Sequence, residues 1–338
     1  MLKSARFWIG MAISVVCLYF AFQGIQFDKL FEALISLDYR WLLVTIVLWC
    51  VSYIGRVFRW QTLFSPLKVR LVNVFNALNI GYFLSNILPA RLGDIIRAYL
   101  IGDMESVSKA RALSTVVVER IFDGLTVVMF FALAAMFVPN IPEEARQAAV
   151  GVALTGIVGI IVLFVLSWQE ERGMAFLHRL AAPFRFLDRA GLWRALESLI
   201  DGFAVLHSPR PIIGAVLWSL YAWTLGGIMF WTAMIAMGVH DGAGVPLPIS
   251  AAFLVMTVTS LVVVIPSSPG YIGIFHYVTV LTLTTIYGVD KSNALSYAVV
   301  IHAVSYLWLT VIGVFSIWRQ GLTVQRLQTI QVQAAKSE

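Results

Sequence analysis

The chain has 338 residues, 60% of them hydrophobic and only 12% charged, whereas a soluble globular domain is about half apolar and about a quarter charged. That balance excludes an ordinary soluble fold and points to a polytopic membrane protein. The net charge of +6 is not a nucleic-acid footprint, because the basic residues flank apolar runs, as they do in cytoplasmic loops facing anionic lipid.

Residues 7–25 form the first predicted span. Lys3 and Arg6 precede it, which predicts a cytoplasmic N-terminus. No small-residue cleavage site follows, so this span reads as an anchor rather than a signal peptide. Cys17 and Cys50 both lie in apolar runs. They offer neither a disulfide framework nor metal spacing, and no metal or other cofactor is expected. The loop 26–40 is net acidic and reads as outside. The second span, 41–58, runs into Arg56, Arg59, Lys68 and Arg70, a cytoplasmic signature.

Residues 72–88 are apolar but short for a crossing, and 95–101 are shorter still. Basic residues flank the pair on both sides, Lys68 and Arg70 before it, Lys109 and Arg111 after it. The segment must therefore enter and leave on one side, as a re-entrant hairpin broken at 89–94. Such backbone is tolerated at membrane depth only where protein or a polar cavity surrounds it. Residues 112–138 and 148–168 are further spans, joined by a loop with Glu143 and Glu144. The polar segment 169–210 is a cytoplasmic loop, either interfacial amphipathic helices or a soluble hairpin. Residues 211–237 cross again. Residues 249–287, broken at 266–273, are either a second hairpin open to the other side or two full spans. Residues 294–318 form the last span, and Arg319, Arg326 and Lys336 hold a cytoplasmic tail, 319–338.

The two breaks share a pattern. Pro89 to Ile95 and Pro266 to Ile272 both read Pro-x-x-x-Gly-x-Ile, and by charge parity they enter from opposite sides. Paired interrupted segments in corresponding halves are a sequence pointer to an inverted repeat with a transporter site between them. The fold class expected is an all-α polytopic membrane protein with about six full spans and two broken segments in a single domain.

Three groups of residues carry candidate chemistry. Arg91, Asp94 and Arg97 are spaced by three, and guanidinium groups match phosphate oxygens bidentately. Glu119, Arg120 and Asp123 lie within a span. The two carboxylates are four residues apart and need a cation or proton between them, with Arg97 or Arg91 the expected partners. His276 follows the second break, where it either carries a proton or is a packing histidine; His302 lies further on. Internal ion pairing is the structural alternative for both charged groups. No G-x-S-x-G, H-E-x-x-H or P-loop motif is present.

Arg91–Leu100 (RLGDIIRAYL), Ser114–Asp123 (STVVVERIFD) and Pro269–His276 (PGYIGIFH) together resemble the flippase-like family, the transmembrane region of lysylphosphatidylglycerol synthases and its stand-alone relatives. The resemblance runs nearly the whole chain. It implies a functional set of Arg91, Gly93, Arg97, Glu119, Arg120, Asp123, Pro269, Gly270 and Gly273. Asp94 and His276 stand where the family usually has Glu. The resemblance implies the translocating region alone, without a lipid-modifying domain.

The expected function is therefore binding or translocation of a phosphate-bearing lipid across the cytoplasmic membrane. Arg91, Arg97 and Arg120 would hold the phosphate. Asp94, Glu119, Asp123 and His276 would balance charge or couple a proton. Pro89, Gly93, Pro266, Pro269, Gly270 and Gly273 would supply the breaks. The expected partners are anionic membrane lipids. The alternatives are an intramembrane transferase acting on a polyprenyl-phosphate lipid, and a scaffold that engages an envelope-biosynthesis enzyme through 169–210.

Overall fold

The computed structural model describes residues 5–88, 92–138, 209–262 and 268–322, with single positions at 147, 151 and 154. The expected span 148–168, the loop 169–210, the tail 323–338, and Pro89, Arg91 and Pro266 lie outside the described residues. Among those described, regular structure is helical, apart from an isolated bridge between His240 and Pro246.

In chain order the helices are α1 (Ala5–Phe22), α2 (Phe27–Ile35), α3 (Tyr39–Thr62), α4 (Leu71–Ile87), α5 (Leu92–Glu105), α6 (Lys109–Phe137), α7 (Pro209–Ala236), α8 (Ile249–Val262), α9 (Ile274–Tyr287) and α10 (Lys291–Arg319). Among the described residues, four stretches are long and apolar enough to cross a membrane: Tyr39–Thr62, Arg210–Ala236, Pro269–Tyr287 and Lys291–Arg319. The third reaches that length only by including a broken turn. Its regular helix α9 has 14 residues, about 21 Å, against a hydrocarbon core of about 30 Å. The 29 residues of α6 make it as long as the last of the four.

Two ends of the bundle are defined by contacts between distant loops. At one end Asp38 N donates to Ala236 O at 2.8 Å, Gly242 N to Tyr287 O at 3.0 Å, and Lys291 Nζ to the last carbonyls of α1. Asp28, Glu32, Asp38, Asp241 and Asp290 lie at this acidic end. At the other, Asn73 Nδ2 donates to Glu105 Oε1 at 2.6 Å and Arg111 Nη2 to Ser65 O at 3.5 Å. Lys68, Arg70, Lys109, Arg111, Arg210 and Arg319 make this the basic end.

The α4–α5 pair leaves and returns to the basic end, as charge parity requires. The α8–α9 pair leaves and returns to the acidic end, as both readings of 249–287 require; its 14-residue arms, about 21 Å each, and a broken turn packed against Ser14 and Asn86 are those of a second hairpin. The order span, arm, arm, span thus recurs as α3–α6 and α7–α10, with the hairpins open to opposite ends. Their tips approach in the interior: a Cβ placed on Gly270 would lie 3.6 Å from the Asn86 carbonyl oxygen.

Local chemistry explains the second break. Gly270 (φ 71°) and Gly273 (φ 97°) take left-handed backbone that a side chain disfavours. At Gly273 a Cβ would also collide with the Ser14 carbonyl of α1. Ser14 Oγ accepts from Ser268 N at 2.8 Å, so α1 straps this tip in place. The first break differs from expectation. Gly93 and Asp94 lie in the first turn of α5, because the helix restarts at Leu92. Gly93 is a packing glycine: a Cβ there would strike the Gly81 carbonyl oxygen and the backbone at Ser85. It lets the two arms of the hairpin touch backbone to backbone.

Two boundaries are also corrected. The span expected at 41–58 continues to Thr62, which carries Arg59 and Trp60 into the interior. The acidic loop 26–40 contains α2, whose Phe27, Phe31 and Ile35 are exposed.

Candidate functional site

The interior holds a closed ring of six alternating charges. Arg97 of α5 bonds Asp94 (3.2 Å) and Glu119 (2.9 Å); Glu119 then bonds Arg59 of α3 at 2.9 Å. Arg59 bonds Asp123 at 2.6 Å, Asp123 meets Arg120 at 3.4 Å, and Arg120 returns to Asp94 at 2.8 Å. Each carboxylate lies between two guanidiniums and each guanidinium between two carboxylates. Unpaired charge at such depth is costly; alternation gives every member two opposite charges. Glu119 and Asp123 share a face of α6, as their spacing requires. The cation between them is Arg59.

Aromatic groups line the ring. Trp60 and Tyr82 present their faces to the Arg97 guanidinium at 4.7 and 5.3 Å. The Tyr82 hydroxyl donates to Glu119 Oε1 at 3.0 Å, and Trp223 Nε1 donates to Asp123 Oδ1 at 2.8 Å. Ser219 Oγ accepts from Arg59 Nη1 at 3.2 Å, which ties α7 to the network. The ring therefore fastens the first hairpin to α3 and α6, and α3 to α7.

Beside the ring lies a cavity of about 560 Å³, within the range of small-ligand sites. It is bordered by α3, α4, α6, α7, α8, α9 and α10. Arg56, Arg120 and Asp123 make its charged side, while Trp49, Val127, Met229, Phe230, Met256 and Phe275 supply apolar walls. Arg59 and Arg97 are fully buried, whereas the Arg120 side chain is 33% exposed. The Arg120–Asp123 contact, the longest in the ring, faces the cavity.

Of the residues singled out in the sequence, Asp94, Arg97, Glu119, Arg120 and Asp123 meet in the ring. Arg91 lies outside the described residues, and Arg97 is not in the cavity lining. His276 lies behind the cavity wall, next in sequence to Phe275. Its Nδ1 accepts from Gly273 N at 3.4 Å, and its Nε2 faces His302 Nδ1 at 3.4 Å. His302 in turn is hydrogen-bonded to the Gly270 backbone. The two histidines thus join both glycines of the second break to α10.

Sequence reasoning missed Arg59 as a ring member and Arg56 as a cavity residue, because both were counted as cytoplasmic loop charge. Their spacing of three beside Trp60, continuing an apolar helix, is the signal that they share a helical face. Tyr53, three residues before Arg56, belongs to the same face and also lines the cavity.

A family model for the lysylphosphatidylglycerol synthase TM region matches residues 7–313. Glycosyltransferase AglD of Haloferax volcanii is 25% identical, over 90% of this chain and 52% of that protein; the chain spans about half the length of that relative. A UPF0104 membrane protein of Pyrococcus horikoshii is 26% identical, over 90% of this chain and 93% of its own length. Another, from Methanothermobacter thermautotrophicus, is 25% identical over 81% of this chain and 82% of that protein. With its all-helical bundle, two opposed hairpins and a family match over most of its length, the chain is an integral membrane protein and belongs to the lysylphosphatidylglycerol synthase transmembrane-region family.

Proposed function

We propose that the protein binds a phosphate-bearing lipid in the cavity beside the charge ring and passes its headgroup between the leaflets. The observation that carries this reading is the amphiphilic cavity between opposed hairpins, with guanidiniums on one side and apolar walls elsewhere. Such a site suits a ligand with an anionic head and hydrocarbon tails. Arg120 faces the headgroup, while Arg97 holds Glu119 and Asp94 in register; Arg91, outside the described residues, would be a further phosphate ligand. The charge difference between the two ends supports a cytoplasmic-membrane location, with the basic end and both termini in the cytoplasm.

The test is mass spectrometry of lipids co-purified in mild detergent. Wild-type protein is expected to enrich one phosphate-bearing lipid, and Arg120→Gln to lose at least about nine-tenths of it, a tenfold change. Equal enrichment in both would remove Arg120 from the site. Arg120 is the informative choice because its partial exposure spares the fully buried ring members.

His276 is the proton-coupling group in this reading. Its Nδ1 already accepts from Gly273 N, so a proton added there would face an N–H donor and break the cap on α9. Among the described residues no carboxylate or cation forms an ion pair with it. Lipid transfer in vesicles is expected to respond to an imposed proton gradient, and His276→Gln to remove that response while lipid binding persists. An unchanged response in the variant would assign the pair to packing.

A second reading draws on the glycosyltransferase name of the Haloferax volcanii relative: an intramembrane transferase acting on a polyprenyl-phosphate lipid. Glycolipid product formed by pure protein from lipid and a sugar donor would favour it over translocation.

A further inference from the structure

The charge ring is neutral within itself, since three guanidiniums meet three carboxylates. Arg56 stands outside it. It lies one turn before Arg59 on α3, half-buried, with its guanidinium 5.3 Å from the centre of the Trp223 ring. It lines the cavity, and among the described residues no carboxylate pairs with it.

Two residues that line the same cavity each keep a buried donor without a partner among the described residues. The Tyr53 hydroxyl is buried and has no hydrogen-bond partner among the described residues, and neither has Arg120 Nε. Acceptors are already committed. Asp123 also lines the cavity, but Oδ1 receives Arg59 and Trp223, and Oδ2 receives Arg59 and Arg120. Ser52 Oγ donates to Ala222 O at 2.9 Å, and Ser305 Oγ to Ile301 O at 3.0 Å. The charged side of the cavity therefore offers one unbalanced positive charge and spare donors, and no free carboxylate.

We infer that the cavity selects lipids whose headgroup carries one net negative charge, with Arg56 as the specificity-determining counter-charge and Tyr53 as a donor to the same anion. The inference rests on the lipid-binding reading and narrows it. A neutral lipid leaves Arg56 unpaired against an apolar wall, where an uncompensated charge is disfavoured. A zwitterionic head brings a cation for which no carboxylate is free. A phosphomonoester brings a second negative charge that the balanced ring does not match. Discrimination of this kind works by excluding the wrong charge as much as by attracting the right one.

The experiment uses full-length protein in non-ionic detergent. Tryptophan fluorescence is the readout, because Trp49 and Trp223 line the cavity. The probes are short-chain phosphatidylglycerol (one negative charge), phosphatidic acid (more than one), phosphatidylcholine (zwitterionic) and inorganic phosphate. Phosphatidylglycerol is expected to bind at least about tenfold tighter than either other lipid. Arg56→Gln should bring the three lipids within about threefold of one another, and Arg56→Lys should keep the order. Tyr53→Phe should weaken phosphatidylglycerol by at least about tenfold, the loss of one hydrogen bond to a charged group. The variants are compared at equal melting temperature; Arg56 is outside the ring, so its replacement leaves the ring's pairs intact. Phosphatidic acid binding as tightly as phosphatidylglycerol, or an undiminished preference in Arg56→Gln, would overturn the charge selection while leaving lipid binding in place. Saturation by inorganic phosphate alone, or no response to any lipid, would overturn the lipid-binding reading itself.

Discussion

Replacing Arg59 by alanine is expected to destabilise the protein by about 3–5 kcal/mol, the usual cost of removing one partner from a buried ion pair. Arg59 is fully buried and bridges Glu119 at 2.9 Å and Asp123 at 2.6 Å. Without it, two carboxylates four residues apart on α6 face a void in the protein interior. Ser219 would also lose its bond to Arg59 Nη1. Arg59→Lys should fall between wild type and alanine. A lysine restores the charge, but it lacks the planar fork that reaches two carboxylates at once. Thermal unfolding in detergent reads the effect, a fall of roughly ten degrees for the alanine variant. Adding Asp123→Asn to Arg59→Ala should recover part of the loss, because it removes one of the stranded charges. A melting temperature within about two degrees of wild type would show that water reaches Arg59 and that the ring is not a buried network.

Gly93→Ala is expected to cost about 1–3 kcal/mol, the range for overpacking in a filled interior. Its effect on function should be larger. The added methyl would strike the Gly81 carbonyl oxygen and the backbone at Ser85, and neither can turn aside as a flexible side chain would. The arms of the first hairpin must separate. Asp94 and Arg97, the next residues along α5, then move relative to α6. The opposite face of the contact is as tight: a Cβ on Gly81 would sit 2.6 Å from Arg97 Cβ and 2.9 Å from its Cδ. Gly124→Ala is the control. Gly124 lies in mid-α6 with nothing within 4 Å of an added Cβ, so alanine there should be neutral or stabilising by up to about 1 kcal/mol in melting. Equal melting of Gly93→Ala and Gly124→Ala would contradict the backbone contact between α4 and α5.

Much of this architecture can be read from charge and length. The first hairpin follows from Lys68 and Arg70 on one flank of 72–101 and Lys109 and Arg111 on the other. Arms of such lengths cannot cross, and both flanks must share a side. Asp94, Arg97, Glu119, Arg120 and Asp123 draw notice because ionisable groups in apolar segments are costly. Arg56 and Arg59 escape the same logic. A guanidinium just past an apolar run reads as a loop charge unless the helix is known to continue. Their spacing of three beside Trp60 hints that it does, and the contacts with Glu119, Asp123 and Trp223 show it. The role of Gly93 is hidden for a related reason. A glycine beside a proline-containing break reads as part of the break, whereas its function depends on Gly81, twelve positions earlier in the sequence and on the other arm. The helix α2 is concealed by its own acidic residues, which fix the side of the membrane and say nothing about its conformation.

The closed ring also governs how this sequence is free to drift. An isolated ion pair tolerates exchange of its two members, because one swap answers the other. A ring in which every residue has two partners has no such exit. Reversing the sign at one position places like charges on both sides of it, and repairing those neighbours passes the conflict further round until all six have changed. Neutral steps along that route leave stranded buried charges at each stage. Variation at these positions should therefore preserve sign while changing length or shape, as Asp for Glu or Lys for Arg. A relative that lacks one member should lack its opposite-signed neighbour as well.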